Sequence, residues 1–252
     1  MKFLGIIPAR YASTRFPGKP LADIGGKSMI QRVYEQVAAC LDDVWVATDD
    51  QRIEAAVHAF GGNCVMTSER HRSGTDRCLE ASQKIGGDFD VIINIQGDEP
   101  FIQQSQIEAL KDCFLANSAT ALATLVKPFS DQEGLEALFN VNSPKVVLNT
   151  KGEALYFSRS VIPFCRGHET ETWMKNQTFY KHIGIYAYRV ETLAEIAALP
   201  QSPLELAESL EQLRWLENGY RIQTAVTLVE NMAVDTPEDL ERIKQYLNEK
   251  SV

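Results

Sequence analysis

The sequence predicts an α/β protein with a mostly parallel central sheet and a strand-rich insertion in its second half. Two observations carry the prediction. Through the first half, apolar runs of strand length alternate with segments of helical period. That β-α-β-α order is the one that builds a parallel sheet with helices on its faces. Through the second half, strand-length runs follow one another with few helices between them. No Pro/Ser-rich linker, internal repeat or low-complexity tract interrupts the 252 residues, so one domain over 1–252 is the economical reading.

The elements follow in order. "KFLGII" (2–7) reads as a buried strand. "SMIQRVYEQVAACL" (28–41) places Met29, Ile30, Val33, Val37 and Leu41 on one helical face, with Ser28 as N-cap. "VWVAT" (44–48) is a strand, "DQRIEAAVHAFGG" (50–62) a helix closed by Gly61 and Gly62, and "CVM" (64–66) a short strand. A helix capped by Thr75, the strand "FDVIINI" (89–95) and the helix "QSQIEALKDCFLAN" (104–117) complete the alternation. Then "TALATLVKPF", "PKVVLNT", "EALYFSR" and "KHIGIYAYR" read as strands. Ser202 and Pro203 open one amphipathic helix over 202–219, "IQTAVTL" is a strand, and Thr236, Pro237 and Asp239 start a closing helix as a capping box.

The net charge of −9 excludes a general nucleic-acid or membrane-surface role, because both need a basic face. Five scattered cysteines without a C-x-x-C pair suggest neither a zinc site nor a disulfide framework. No apolar run approaches the ~18 residues of a membrane span, and the short run after Met1 is not a signal peptide. A cytoplasmic location is expected.

Against that acidic background, Arg10, Arg15 and Lys19 crowd into the loop after the first strand. Ligands of open α/β sheets bind beyond the carboxyl ends of the strands. Pro8, Pro17, Gly18 and Pro20 keep the loop out of helix, and its small residues let backbone amides approach an anion. Two forked guanidinium groups and one ammonium suit a triphosphate. Neither the Walker A loop nor the dinucleotide fingerprint is present. A second loop, "IQGDEP" (95–100), puts Gln96, Asp98 and Glu99 at the same edge. A carboxylate facing a triphosphate needs a cation between, and Mg²⁺ binds through one or two carboxylates plus substrate phosphates. Taken alone, Asp98 could equally be a turn residue before Pro100. With Thr236 capping the last helix, Asp235 is left to cap or to point elsewhere.

"IIPARYASTRFPGKPL" resembles the signature loop of the sugar-activating cytidylyltransferases. The likeness continues through "HRSGTDR" (71–77), "INIQGDEPFI" (93–102), "YFSRSVIPF" (156–164), "KHIGIYAYR" (181–189), "LELAESLEQLRWLENG" (204–219) and "VDTPEDLERI" (234–243). These blocks keep the family's order over essentially the whole chain, and the match is closest to members that activate 3-deoxy-manno-octulosonate (Kdo). The resemblance implies a nucleotide-diphospho-sugar-transferase-like three-layer fold and the reaction of CTP with Kdo to CMP-Kdo and pyrophosphate, for lipopolysaccharide. It implies that residues 1–125 mainly hold the nucleotide, 126–230 the sugar and a homodimer contact, and that 231–252 return to the nucleotide side.

The same resemblance implies roles. Arg10, Lys19, Asp98 and Asp235 are catalytic, the two aspartates as ligands of Mg²⁺. Pro8, Ala9, Arg10, Arg15, Lys19, Arg72 and Ser73 hold the nucleotide, the first two through their backbones. Arg77, Gln96, Arg159, His182, Tyr186, Glu211 and Gln212 bind substrate. Without it, His182 would pass for a core histidine, Glu211 and Gln212 for a helix surface, and 68–77 for a charged helix entrance. Three alternatives stand beside this reading. One is a cytidylyltransferase for 8-amino Kdo or sialic acid. The second is a glycosyltransferase, which would want a D-x-D motif, and the third is a nucleotide-binding module without turnover.

Overall fold

The computed structural model of the chain describes residues 1–13, 15–230 and 232–250, the side chains of 248–250 excepted. It forms two compact units, one from residues 1–108 with 231–252, the other from 109–230. The first unit contains strand β1 (Phe3–Ala9), the two-residue strands β2 (Asp23–Ile24) and β3 (Lys27–Ser28), helix α1 (Met29–Ala38) and β4 (Asp43–Thr48). These are followed by α2 (Gln51–Ala59), β5 (Cys64–Met66), α3 (Gly74–Ile85), β6 (Val91–Asn94) and α4 (Gln104–Ala116), within which the boundary falls.

β1 pairs in parallel with β4 on one side and β6 on the other, and β4 in turn with β5. Gly5 stands opposite Val44 and Ile93, so the strands are in register about β1. With every pairing parallel, the carboxyl ends Ala9, Thr48, Met66 and Asn94 lie along one edge. The loops that follow them therefore cluster there. α1 buries Met29, Ile30, Val33 and Val37, the face its spacing predicts, and the Ser28 hydroxyl accepts from the Gln31 amide at 3.3 Å. α3 departs from expectation at its start. Ser73, not Thr75, is the N-cap, accepting from the Asp76 amide at 3.1 Å, while Thr75 is buried in the first turn. Starting two residues earlier turns Thr75 and Cys78 inward together.

The second unit holds β7 (Leu122–Pro128), α5 (Gly134–Phe139), β8 (Lys145–Leu148), β9 (Ala154–Ser158), α6 (Trp173–Asn176) and β10 (Tyr180–Arg189). It ends with α7 (Val190–Ala197), α8 (Pro203–Glu208), α9 (Gln212–Glu217) and β11 (Gln223–Val226). β7 lies between antiparallel β10 and parallel β11, and β8 bridges β10 to β9. This part is less purely stranded than the pattern suggests. α5 and α6 are too short to show a period, and they gather Leu138, Trp173 and Phe179 into a small core of their own. The single helix expected over 202–219 is two. Ser209 adopts a left-handed conformation (φ 52°) and ends α8, and α9 starts afresh at Gln212. Arg159 stabilises the break, donating from Nε to the Glu208 carbonyl (2.6 Å) and from Nη2 to the Ser209 carbonyl (3.3 Å).

The chain returns to the first unit with α10 (Pro237–Lys250). Its capping box forms as expected: the Asp239 amide donates to the Thr236 hydroxyl at 3.3 Å, and the Thr236 amide to the Asp239 carboxylate at 2.9 Å. Val234, Leu240 and Ile243 pack with Ile24 and Met29 in one buried cluster. That packing fixes the approach to the helix, where Asp235 stands one residue before the Thr236 cap.

Candidate active site

The loop after β1 is closed on itself. The Gly18 amide donates to the Tyr11 carbonyl at 2.8 Å, and Gly18 has φ +74°. A side chain there would be strained in that conformation and would press on the Tyr11 ring. The closed loop and the start of the Gln96–Asp98 turn enclose a cavity of about 370 Å³ lined by Pro8, Ala9, Arg10, Arg15, Lys19, Gln96 and Asp98, among others. Gly97 lets the two loops approach, since a Cβ there would stand 2.8 Å from the Pro8 carbonyl oxygen.

Lys19 is the centre of the charge arrangement. Its ammonium donates to Asp98 Oδ2 (2.6 Å), to the Val234 carbonyl (2.9 Å) and to Asp235 Oδ1 (3.3 Å). Arg15 Nη2 lies 2.9 Å from the same Asp235 oxygen. The Val234 amide donates to the Asp98 carbonyl at 2.9 Å, which ties the two aspartate-bearing segments together. Residues 137 positions apart in sequence thus present carboxylates to one ammonium. Thr236 does the capping, and Asp235 is free to face the loop. Two carboxylates and a carbonyl around one cation are hard oxygen donors, a set that fits Mg²⁺ completed by phosphate and water. Among the described residues no cluster of three or more metal-ligating side chains occurs, and such a metal does not require one.

Arg10 also lines the cavity, its Nη2 donating, among the described residues, to the His71 carbonyl and not to a carboxylate. Burial and the neighbouring Arg77 lower its pKa, against the pull of Asp49 and Asp76. Arg77 itself does not line the cavity. It is fully buried and donates to Thr67 Oγ1 and Asp49 Oδ2, both at 2.6 Å. It joins the ends of β4 and β5 to α3, because a guanidinium removed from water must find acceptors. Asp49 is one such acceptor, while the neighbouring Asp50 caps α2. Arg72 is exposed and absent from the lining, and the Ser73 hydroxyl is committed to α3.

In the second unit, His182 and Tyr186 come together with Trp215, and Gln212 is buried on the same short helix as Trp215. The His182 and Tyr186 rings lie 5.3 Å apart, and Tyr186 meets Trp215 edge-on at 5.0 Å. Residues four apart on a regular strand stand about 13 Å apart. They meet because β10 breaks register against β7 between Ile183 and Tyr186. The sequence signal for that bulge is Gly184, an isolated glycine inside a strand. Buried Thr124 holds the bulge, bonding to the Ile185 carbonyl at 2.8 Å and to His182 Nε2 at 3.1 Å. A hydroxyl has one proton. With that proton on the carbonyl, His182 Nε2–H donates to Thr124 and Nδ1 is left as an acceptor. Gln212 Nε2 and Trp215 Nε1 are buried without a hydrogen-bond partner in the structure. Each such group costs about 1–3 kcal/mol, a cost that a polar ligand relieves. Glu211 pairs with Arg214 at 2.7 Å. Arg159 meets three carbonyls, those of Val141, Glu208 and Ser209, and its carboxylate neighbour Glu208 takes the Arg159 amide and the Ser158 hydroxyl instead. Its charge is solvated by dipoles rather than neutralised.

Burial pushes the His182 imidazole down to about 3 from its ordinary 6.5. Below the ordinary value the unfolded chain binds a proton that the folded ring refuses, so stability falls with pH and stops falling below the depressed value. From pH 7 to pH 5 this ring contributes a loss of about 2 kcal/mol. In urea unfolding at both pH values, His182→Gln should reduce the difference by that amount; an unchanged difference would place the ring in water.

A parallel sheet whose carboxyl edge sets loop cations against paired carboxylates defines a nucleotidyltransferase-type protein. The chain belongs to the cytidylyltransferase family, whose model matches residues 4–222. It is 67% identical over the full length of both chains to a 3-deoxy-manno-octulosonate cytidylyltransferase of Bacteroides thetaiotaomicron. It is 46% identical to one of Geobacter metallireducens, covering 98% of each chain. A solved CMP:2-keto-3-deoxy-manno-octonic acid synthetase complexed with CTP superposes with a TM-score of 0.90 at 44% identity, over 99% of this chain and 100% of that one. The α/β fold expected from the sequence is the fold of that enzyme.

Proposed function

We propose that the chain activates Kdo, converting CTP and the sugar to CMP-Kdo and pyrophosphate for lipopolysaccharide synthesis. The observation that carries the reading is the convergence of Arg15, Lys19, Asp98 and Asp235 beside a cavity of about 370 Å³. A triphosphate supplies the anionic partner that three loop cations need. The relatives' names supply the base and the sugar.

The anomeric hydroxyl oxygen of the sugar attacks the α-phosphorus as the bond to the bridging oxygen of the β-phosphate breaks. Pyrophosphate takes the electron pair and the hydroxyl proton leaves to solvent. Arg10, Arg15 and Lys19 hold the β- and γ-phosphates and stabilise charge on the leaving group. Pro8 and Ala9 offer backbone groups to the cytosine, with Arg72 and Ser73 near the nucleoside and Gln96 toward the sugar. Arg159 takes the sugar carboxylate. His182 Nδ1 accepts a sugar hydroxyl, and Tyr186, Glu211 and Gln212 hold others. Asp98 and Asp235 would hold Mg²⁺, which when bound supplies positive charge against the phosphates. Lys19 then has two sets of partners, the carboxylates it grips now and the phosphates. His182 is unsuited to act as a general base, since burial holds its pKa near about 3. Positioning and charge account for the chemistry.

Among the described residues no helix is long and apolar enough to cross a membrane, and the enzyme is proposed to be cytoplasmic. It is proposed to be a homodimer. Phe164, 74% exposed and edge-on to Trp173 at 5.1 Å, and Phe139 beside the same ring make an apolar surface on the second unit.

The test is pyrophosphate release with Mg²⁺ and CTP, comparing Kdo, 8-amino Kdo, sialic acid and no sugar, with Asp98→Ala as control. Release that requires Kdo and falls by on the order of 10²–10³ in the variant is the expected result. Preference for another acid would redraw the roles of Arg159, His182 and Glu211. Folded protein that binds CTP but releases nothing with any sugar would be a binding module.

A further inference from the structure

Among the described residues the Arg10 guanidinium hydrogen-bonds the carbonyl of His71, and that carbonyl lies in a turn between β5 and α3. A turn residue's carbonyl is only as well placed as the turn, and turns open at low free energy. Here the turn is tied to α3 at two points by one side chain. Glu80 Oε2 accepts from the Ser68 amide at 2.8 Å and bonds the His71 ring at Nε2. Its other oxygen pairs with Lys84 at 2.7 Å, on the next turn of the helix. Burial alone would raise the Glu80 carboxyl, but Lys84, the Ser68 amide and His71 outweigh it and hold the group down at about 2. An ionised carboxylate only accepts, so His71 Nε2 carries the proton and donates.

We propose that Glu80 is a positioning residue for Arg10, fixing the 68–71 turn so that the His71 carbonyl aims the guanidinium at the cavity. Without that carbonyl, Arg10 keeps two acidic neighbours, Asp49 and Asp76. Either would draw it away from a phosphate. Glu80 itself does not line the cavity. The inference rests on the reading of Arg10 as a phosphate ligand, and the test separates the two.

The experiment is a double-mutant cycle on CTP affinity, measured by titration calorimetry with Mg²⁺, on Glu80→Ala, Arg10→Ala and both together. Glu80→Ala should weaken CTP about tenfold, the value of one charge-assisted bond, and leave KM for the sugar unchanged. In the Arg10→Ala background the same change should matter by less than about twofold, because the group it positions is gone. Lys84→Met, which spares both inward bonds, should stay within about twofold of wild type. Glu80→Gln should recover most of the affinity, its carbonyl oxygen accepting from both the Ser68 amide and His71 Nε2–H as Oε2 does. Thermal unfolding of each variant separates a local effect from a global one. Equal losses in both backgrounds, or no loss in the wild-type background, would overturn the role of Glu80. Wild-type affinity in Arg10→Ala would overturn the phosphate reading of Arg10 itself.

Discussion

Lys19→Met is expected to lower kcat by on the order of 10²–10³ and, in protein without nucleotide, to tighten binding of a divalent ion. Both effects follow from one geometry. The ammonium has three protons, and in the structure it meets three acceptors: Asp98, Asp235 and the Val234 carbonyl. It is saturated where a divalent cation would sit, and the two charges cannot share those oxygens. Methionine keeps the stem's packing and removes the charge, leaving two carboxylates that repel each other except for Arg15 on Asp235. A divalent ion relieves that repulsion. Mn²⁺ titration followed by electron paramagnetic resonance should therefore show affinity about tenfold higher in the variant, while turnover collapses for want of a phosphate ligand. Unchanged Mn²⁺ affinity would mean that Asp98 and Asp235 do not form the metal site. Retained turnover would mean that the phosphates do not need Lys19.

What the sequence made legible divides along physical lines. Local chemistry was readable where one or two residues decide the outcome, as at Ser28, at Gly61 and in the Thr236–Asp239 box. The parallel order of β1, β4, β5 and β6 followed from the alternation of apolar runs, because a buried strand needs apolar residues on both faces. The clustering of the loop cations with Asp98 was readable because topology places strand ends at one edge. The pairing of Arg77 was not legible because nothing local distinguishes a guanidinium facing ligand from one facing Asp49, 28 residues away. The break at Ser209 was hidden for a similar reason, since the group that stabilises it is Arg159, some 50 residues distant in sequence. Trp215 and Thr124 were missed because their role arises from a bulge, and a register shift leaves only Gly184 as its trace.

Arg159→Met should raise KM for Kdo by about a hundredfold, the value of a bidentate charge-assisted contact to a carboxylate, with KM for CTP unchanged. The side chain has a second duty that the measurement must separate. Its donors meet the carbonyls of Val141, Glu208 and Ser209, the last two at the end of α8, where carbonyls lack helical partners. Water can replace the guanidinium at the exposed ones, so the stability lost should be about 1–2 kcal/mol, below the cost of a buried orphan. Arg159→Lys discriminates further. An ammonium can follow one carbonyl and keep a point charge, but it cannot hold three carbonyls and grip a carboxylate with a fork. It should recover much of the stability and little of the sugar affinity. If KM for Kdo followed stability across the two variants, Arg159 would be a brace for the α8–α9 junction, and the sugar's carboxylate would have to be sought elsewhere in the second unit.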